Sequence, residues 1–159
     1  MAILASTTLA VTALQSLAMS AFWKSASVNF TTNDAHYVSV QVALATANTG
    51  AGNPTGYCNV YMACSSTGSA FDAMISAGDA TWTSTAPPTA EAAKQLMYLG
   101  RAPFGVVAGT TTTQNAVRTF WVPPGSVPGY GVVVIENQNK ALLSSTNAVT
   151  VVEYKFAAP

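Results

Sequence analysis

Val127-Pro128-Gly129-Tyr130-Gly131-Val132-Val133-Val134-Ile135-Glu136-Asn137-Gln138-Asn139-Lys140-Ala141-Leu142 decides how the chain folds. A proline–glycine turn leads into four consecutive β-branched residues, Val132 to Ile135, and a polar turn follows. A short, wholly apolar run between turn signals reads as a strand buried on both faces. The stretch therefore predicts the central strand of a two-sheet sandwich, with the rest of the chain packed on it.

Working outward, other segments carry the same signature. Tyr37 to Ala45 alternates, with Val38, Val40, Val42 and Leu44 on one face and Ser39, Gln41 and Ala43 on the other, as in a half-buried antiparallel strand. A glycine-rich loop, Asn48 to Gly56, leads to a second strand, Tyr57 to Cys64, so the two predict a hairpin with a long connection. Phe22 to Phe30 reads as a strand entering a turn at Thr31-Thr32-Asn33-Asp34. Val106 to Thr113 is β-branched and threonine-rich, with a glycine turn at Gly109. Val117 to Val122 is a strand stopped by Pro123-Pro124-Gly125. In the last strand, Ala148 to Phe156, Val149 and Val151 face one way and Val152, Tyr154 and Phe156 the other. Thr89 to Leu99 has a possible cap at Thr89, Glu91 in the first turn and Gly100 as a stop, which predicts a short helix. Gln95 to Leu99 also reads as a strand. The least regular region, Ser65 to Pro88, is a loop long enough to suggest an interaction surface. The count is seven to nine short strands and at most one helix, an all-β, two-sheet antiparallel sandwich. Jelly-roll and immunoglobulin-like topologies both fit, although the immunoglobulin Cys…Trp…Cys spacing is absent.

At 159 residues the chain suits one domain. Met1 to Ala21 reads as an extended arm or first edge strand, and residues 22–159 as the sandwich. The stretch has no positive n-region, its first cation being Lys24, so it does not read as a targeting peptide. Polar residues interrupt it too often for a membrane span. Only 8% of residues are charged, and six basic residues cancel six acidic ones. Low net charge favours association. The chain is either a secreted domain kept soluble by Thr, Ser and Asn, or a subunit whose surface its neighbours cover. No two Lys or Arg are adjacent, which speaks against nucleic acid as a partner.

Constellations for chemistry are thin. Cys58 and Cys64 lie six apart in an alternating strand, about 20 Å, far beyond disulfide reach. They read as small buried hydrophobes on the face of Val60 and Met62, in keeping with a reducing compartment. His36 is the one histidine. It neighbours Asp34, but no nucleophile elbow accompanies it, and it reads as structural. One histidine and two buried thiols make a poor zinc set. Asp72 and Asp79 read as solvated loop aspartates rather than a catalytic or calcium-binding pair. Gly50 to Gly56 lacks the ending of a phosphate loop. Of the tryptophans, Trp121 reads as core. Trp82, in the long loop, reads as packing, interface anchor or sugar platform. No catalytic residue, metal or cofactor is predicted.

Several short stretches carry a resemblance. They run from Val60-Tyr61-Met62-Ala63-Cys64-Ser65-Ser66-Thr67-Gly68 through Gly78-Asp79-Ala80 to Leu96-Met97-Tyr98-Leu99-Gly100-Arg101. They continue with Phe120-Trp121-Val122-Pro123-Pro124-Gly125 into the opening stretch and close on Ala141-Leu142. With Leu14 to Ala18 and Trp23-Lys24-Ser25, these resemble small structural proteins of tailed-phage virions, jelly-roll-like sandwiches that decorate or cement the capsid. The resemblance implies a non-enzymatic protein on the outer capsid surface, assembled in the host cytoplasm. It implies the major capsid protein as partner and self-association into dimers or trimers. Related modules occur in tails, fibres and baseplates, and a secreted carbohydrate-binding module is a further alternative. The expected contact regions are the arm and the long loop, with Ile3, Leu4, Leu9, Leu14, Leu17, Phe71, Met74 and Trp82 as contact residues.

Overall fold

The computed structural model describes residues 1–46, 56–83, 89–104, 115–123, 125–139 and 143–155. The segment 106–113, Pro87-Pro88, most of the glycine loop, Ala141-Leu142 and Phe156 lie outside the described residues.

Among the described residues nine strands form two antiparallel sheets. They are β1 (Ala2–Thr8), β2 (Phe22–Asn29), β3 (Tyr37–Ala45), β4 (Tyr57–Ser65), β5 (Ala80–Trp82), β6 (Met97–Pro103), β7 (Asn115–Trp121), β8 (Tyr130–Asn137) and β9 (Ala148–Lys155). One sheet runs β1-β9-β3-β7 and the other β5-β2-β8-β4-β6. The pairing is nested: β1 with β9, β2 with β8, β3 with β7, β4 with β6. One long hairpin has in effect been rolled up, with successive pairs alternating between sheets. That is the eight-stranded double Greek key of a jelly roll, with β5 added at one edge.

The expected hairpin of β3 and β4 does not form. β3 pairs with β7 and β9, and β4 with β6 and β8, in the opposite sheet. Alternation fixes which face of a strand is buried but not its partner, and a long connection crosses between sheets as readily as it turns back.

β8 is the middle strand of the five-stranded sheet, and the reason for its unbroken apolar run is visible. Val133 and Ile135 point into the core between the sheets, with Trp23, Val40, Val60, Met62 and Val151. Val132 and Val134 point the other way, into a second cluster with Phe22, Phe71, Ile75, Trp82, Ala92, Ala93 and Leu96. The described part of the chain between β4 and β6 packs over that outer face. It comprises a 3₁₀ turn (Asp72–Met74), β5, and a short helix, α1 (Thr89–Ala93). The helix stops before β6, so the helix and strand readings of Thr89 to Leu99 each hold for part of it. At the entry to β8, Gly131 leaves no room for a side chain: a Cβ there would sit 2.8 Å from Cε2 of Phe30 and 3.0 Å from Sδ of Met62.

Residues 1–21 are part of this body. β1 is an edge strand, and the following 3₁₀ turn (Thr12–Leu14) delivers Leu9, Leu14 and Leu17 into the main core. Ala2–Thr8 thus lie along one edge of the four-stranded sheet, paired with β9.

Candidate interaction surfaces

The eight expected contact residues divide sharply. Leu9, Leu14 and Leu17 are core, and Phe71 and Trp82 are buried in the second cluster. Trp82 packs edge-on against Phe22, ring centres 5.6 Å apart. These five expectations are corrected: the fold consumes their apolar surface internally. Ile3, Leu4 and Met74 are exposed.

Met74 is held out by its backbone. Ala73 and Met74 both have φ near 54°, a left-handed conformation that costs an L residue about 1–2 kcal/mol. Phe71 and Ile75 anchor the turn on either side, and the Asp72 carboxylate accepts the Cys64 N–H at 2.9 Å. Met74 at the apex is 94% exposed.

A second surface was not anticipated. Trp121, expected in the core, is half exposed on the outer face of the four-stranded sheet. Along β7 the inward residues are Ala116 and Phe120, followed by Val122, so period two sends Trp121 outward. The spacing of Phe120 and Val122, both inward, was the signal for this. On β9, Val149 and Val151 face the core, which turns Val152 and Tyr154 outward. The register sets Ile3 and Tyr37 on either side of Tyr154, and Trp121 and Val152 on either side of Ser39. The Trp121 and Tyr154 rings lie 5.2 Å apart, tilted by 40°. Met1, Tyr37, Trp121 and Val122 line an open, almost wholly apolar recess beside them. The Lys155–Asp34 ion pair, 2.8 Å, lies just beyond Tyr154 and Tyr37.

Most of the polar groups weighed for chemistry bond to backbone or to neighbouring side chains. Asp79 is not a solvated loop aspartate. It accepts the Thr12 and Ala13 N–H groups and Nε1–H of buried Trp23, at 2.8, 3.1 and 2.7 Å. Burial alone would raise its pKa, but the donors of Trp23, Ala13 and Thr12 outweigh that and hold it below the ordinary value. Asp72 braces the Met74 turn. His36 is exposed, and its backbone N–H donates to the Tyr154 carbonyl. Buried Glu136 accepts from Asn59 Nδ2 and Tyr61 Oη, at 2.7 and 2.9 Å, and from Gln138 Nε2 at 2.5 Å. Burial and the bond to Glu136 raise the Tyr61 pKa. Cys58 is buried and Cys64 half-buried, and both are free. Burial pushes their pKa values up to about 12 and about 11. Among the described residues no three metal-capable side chains cluster, and no helix is long and apolar enough to cross a membrane.

No protein-family model and no curated protein matches the chain.

Proposed function

We propose that this protein is a non-enzymatic structural component of a tailed-phage virion that binds the outer capsid surface and stabilises the head. The observation that carries this reading is the outer face of the four-stranded sheet. Trp121, Tyr154, Tyr37 and Ile3 form an apolar and aromatic platform on a chain with very few charges. Exposed apolar patches of this kind mark protein contacts, and Trp and Tyr are the residues that dominate them energetically. The jelly-roll order agrees, since that architecture recurs in viral shell proteins. The Met74 knuckle supplies a second, strained contact point. The partner is the major capsid protein, and copies self-associate. Each contact is weak, and repetition over a lattice makes the binding strong.

Quantifying the chain against the major capsid protein in purified particles tests the reading. Copies in proportion to capsid subunits are expected. A handful per particle assigns it to the tail, fibre or baseplate, and absence from particles refutes the virion reading altogether.

A further inference from the structure

Among the described residues the two sheets end on four edges, β1 and β7 in one and β5 and β6 in the other. An open edge presents unpaired N–H and C=O groups, and proteins blunt such edges with charge, proline, bulges or brevity. Three of these edges are blunted. β5 has only three residues. β6 carries Arg101, ends on Pro103 and breaks register with β4 between Val60 and Tyr61. β7 carries Arg118 at its centre. In contrast, β1 reads Ala2-Ile3-Leu4-Ala5-Ser6-Thr7-Thr8, with no charge and no proline. Its one irregularity falls between Ile3 and Ala5, so Ala5 to Thr8 runs regular. All of it but Ala5 is exposed, and among the described residues nothing pairs with its outer side.

We infer that β1 is a self-association edge: it pairs antiparallel with β1 of a second copy across a two-fold axis, joining the two four-stranded sheets into one continuous sheet. This deepens the self-association in the virion reading and rests on it. The register identifies the groups that do the pairing. The Leu9 N–H donates to the Val149 carbonyl at 2.9 Å. In an antiparallel ladder, bonded and non-bonded pairs alternate. Thr7 and Ala5, opposite Val151 and Glu153, therefore also face β9. Ser6 and Thr8 turn their N–H and C=O groups outward. Run against itself, the strand sets Ser6 of one copy opposite Thr8 of the other, and by symmetry the reverse.

A second copy is the occupant that the side chains favour. Self-pairing brings no like charges opposite one another, because the strand has none. It also places hydroxyls across from hydroxyls, and Thr–Thr and Thr–Ser pairs stabilise neighbouring strands. The contact is small: in this register only Ser6 to Thr8 of each copy lie opposite one another, well below the about 1,200 Å² at which stable interfaces begin. The dimer is therefore weak in free solution and is reinforced where both copies are held on one surface.

Sedimentation velocity of the full chain, from micromolar to millimolar concentration, is read together with amide hydrogen exchange at both ends of that range. A reversible dimer is expected. The Ser6 and Thr8 amides should gain protection as concentration rises, while Ala5 and Thr7 are protected throughout. Ser6→Pro removes one outward N–H per copy, hence two ladder bonds per dimer, without touching the β1–β9 ladder. Association should weaken at least about tenfold. Ser6→Lys, which adds an edge charge, should do the same. A chain that stays monomeric throughout overturns the inference, as do variants that associate like the wild type or protection that rises on β7 instead. If the wild type is monomeric and Ser6→Pro still loses particle binding, the edge takes a strand of another protein and self-pairing is refuted. A chain absent from particles that nonetheless dimerises through Ser6 and Thr8 refutes the virion reading alone.

Discussion

Asp79→Asn isolates what joins the N-terminal segment to the sandwich. The wild-type carboxylate takes Thr12 N–H on Oδ2, and Ala13 N–H with Trp23 Nε1–H on Oδ1. Asparagine keeps one oxygen, which can still serve Ala13 and Trp23. Its amide nitrogen then meets the Thr12 N–H, donor against donor. One bond is lost outright, and two lose the assistance of charge. Hydrogen bonds to charged groups contribute about 1.5–3 kcal/mol and neutral ones about 0.5–1.5. Because Asp79 is partly exposed, the low end applies, and the loss is about 2 kcal/mol. For a domain of this size each kcal/mol moves Tm by roughly 2–4 °C, so a drop of about 4–8 °C at pH 7 is expected. The pH dependence follows from the sign of the shift. The folded-state pKa lies below the ordinary aspartate value. The contribution is therefore fully present above the unfolded pKa and disappears as pH falls through the folded one. Circular-dichroism melts of both proteins between neutral pH and strong acid should show the gap closing below about pH 4. A gap under about 1 °C at pH 7, or one that persists unchanged into strong acid, would refute this account.

Leu14 is fully buried, so Leu14→Ala should cost about 2–5 kcal/mol, read as a lower urea midpoint with unchanged slope. Deleting residues 2–17 should abolish cooperative unfolding, because it removes β1 together with Leu9, Leu14 and Leu17; a truncated protein with an intact transition would show that the segment is dispensable. Thiol labelling at pH 8 should proceed slowly at Cys64 and at Cys58 only after unfolding, since their pKa values of about 11 and about 12 leave little thiolate; rapid labelling of both would contradict the packing of β4. Trp121→Ser should weaken binding to capsids while leaving Tm within about 1 °C of wild type, and unchanged binding would move the contact away from this face.

The two-sheet sandwich was legible where side-chain pattern and backbone demand agree. Val132 to Ile135 had to be buried on both sides, and β3 declared its buried face residue by residue. Partner choice was not legible, because the register of β3 against β7 and β9 depends on contacts far along the chain. The contact residues were misread for a related reason. Apolarity in Leu9, Leu14, Leu17, Phe71 and Trp82 marks surface that will be buried, but not whether this chain or another buries it. Asp79 was misread because its donors lie some 56–67 residues away and leave no local trace.

The two outer faces of the sandwich now differ in a way that bears on function. The five-stranded sheet carries its own cover. Phe71, Ile75, Trp82 and Leu96 close over Val132 and Val134, Lys24 Nζ ties the crossing segment down through Ser76, and the Gly78 N–H reaches the Ser25 carbonyl. The four-stranded sheet has no such cover among the described residues, and its outer rows hold Trp121, Tyr154 and Tyr37 rather than the threonine and glutamine of the rows beside them. Nothing about a sheet requires this asymmetry, since threonine also suits a strand and finishes an exposed face without leaving aromatic area in water. The aromatic rows therefore fit a face whose cover comes from another chain. β1, the uncharged edge, borders the same sheet. Pairing along that edge and docking on that face would align both contacts of one subunit on a single side, as a protein spread over a lattice requires.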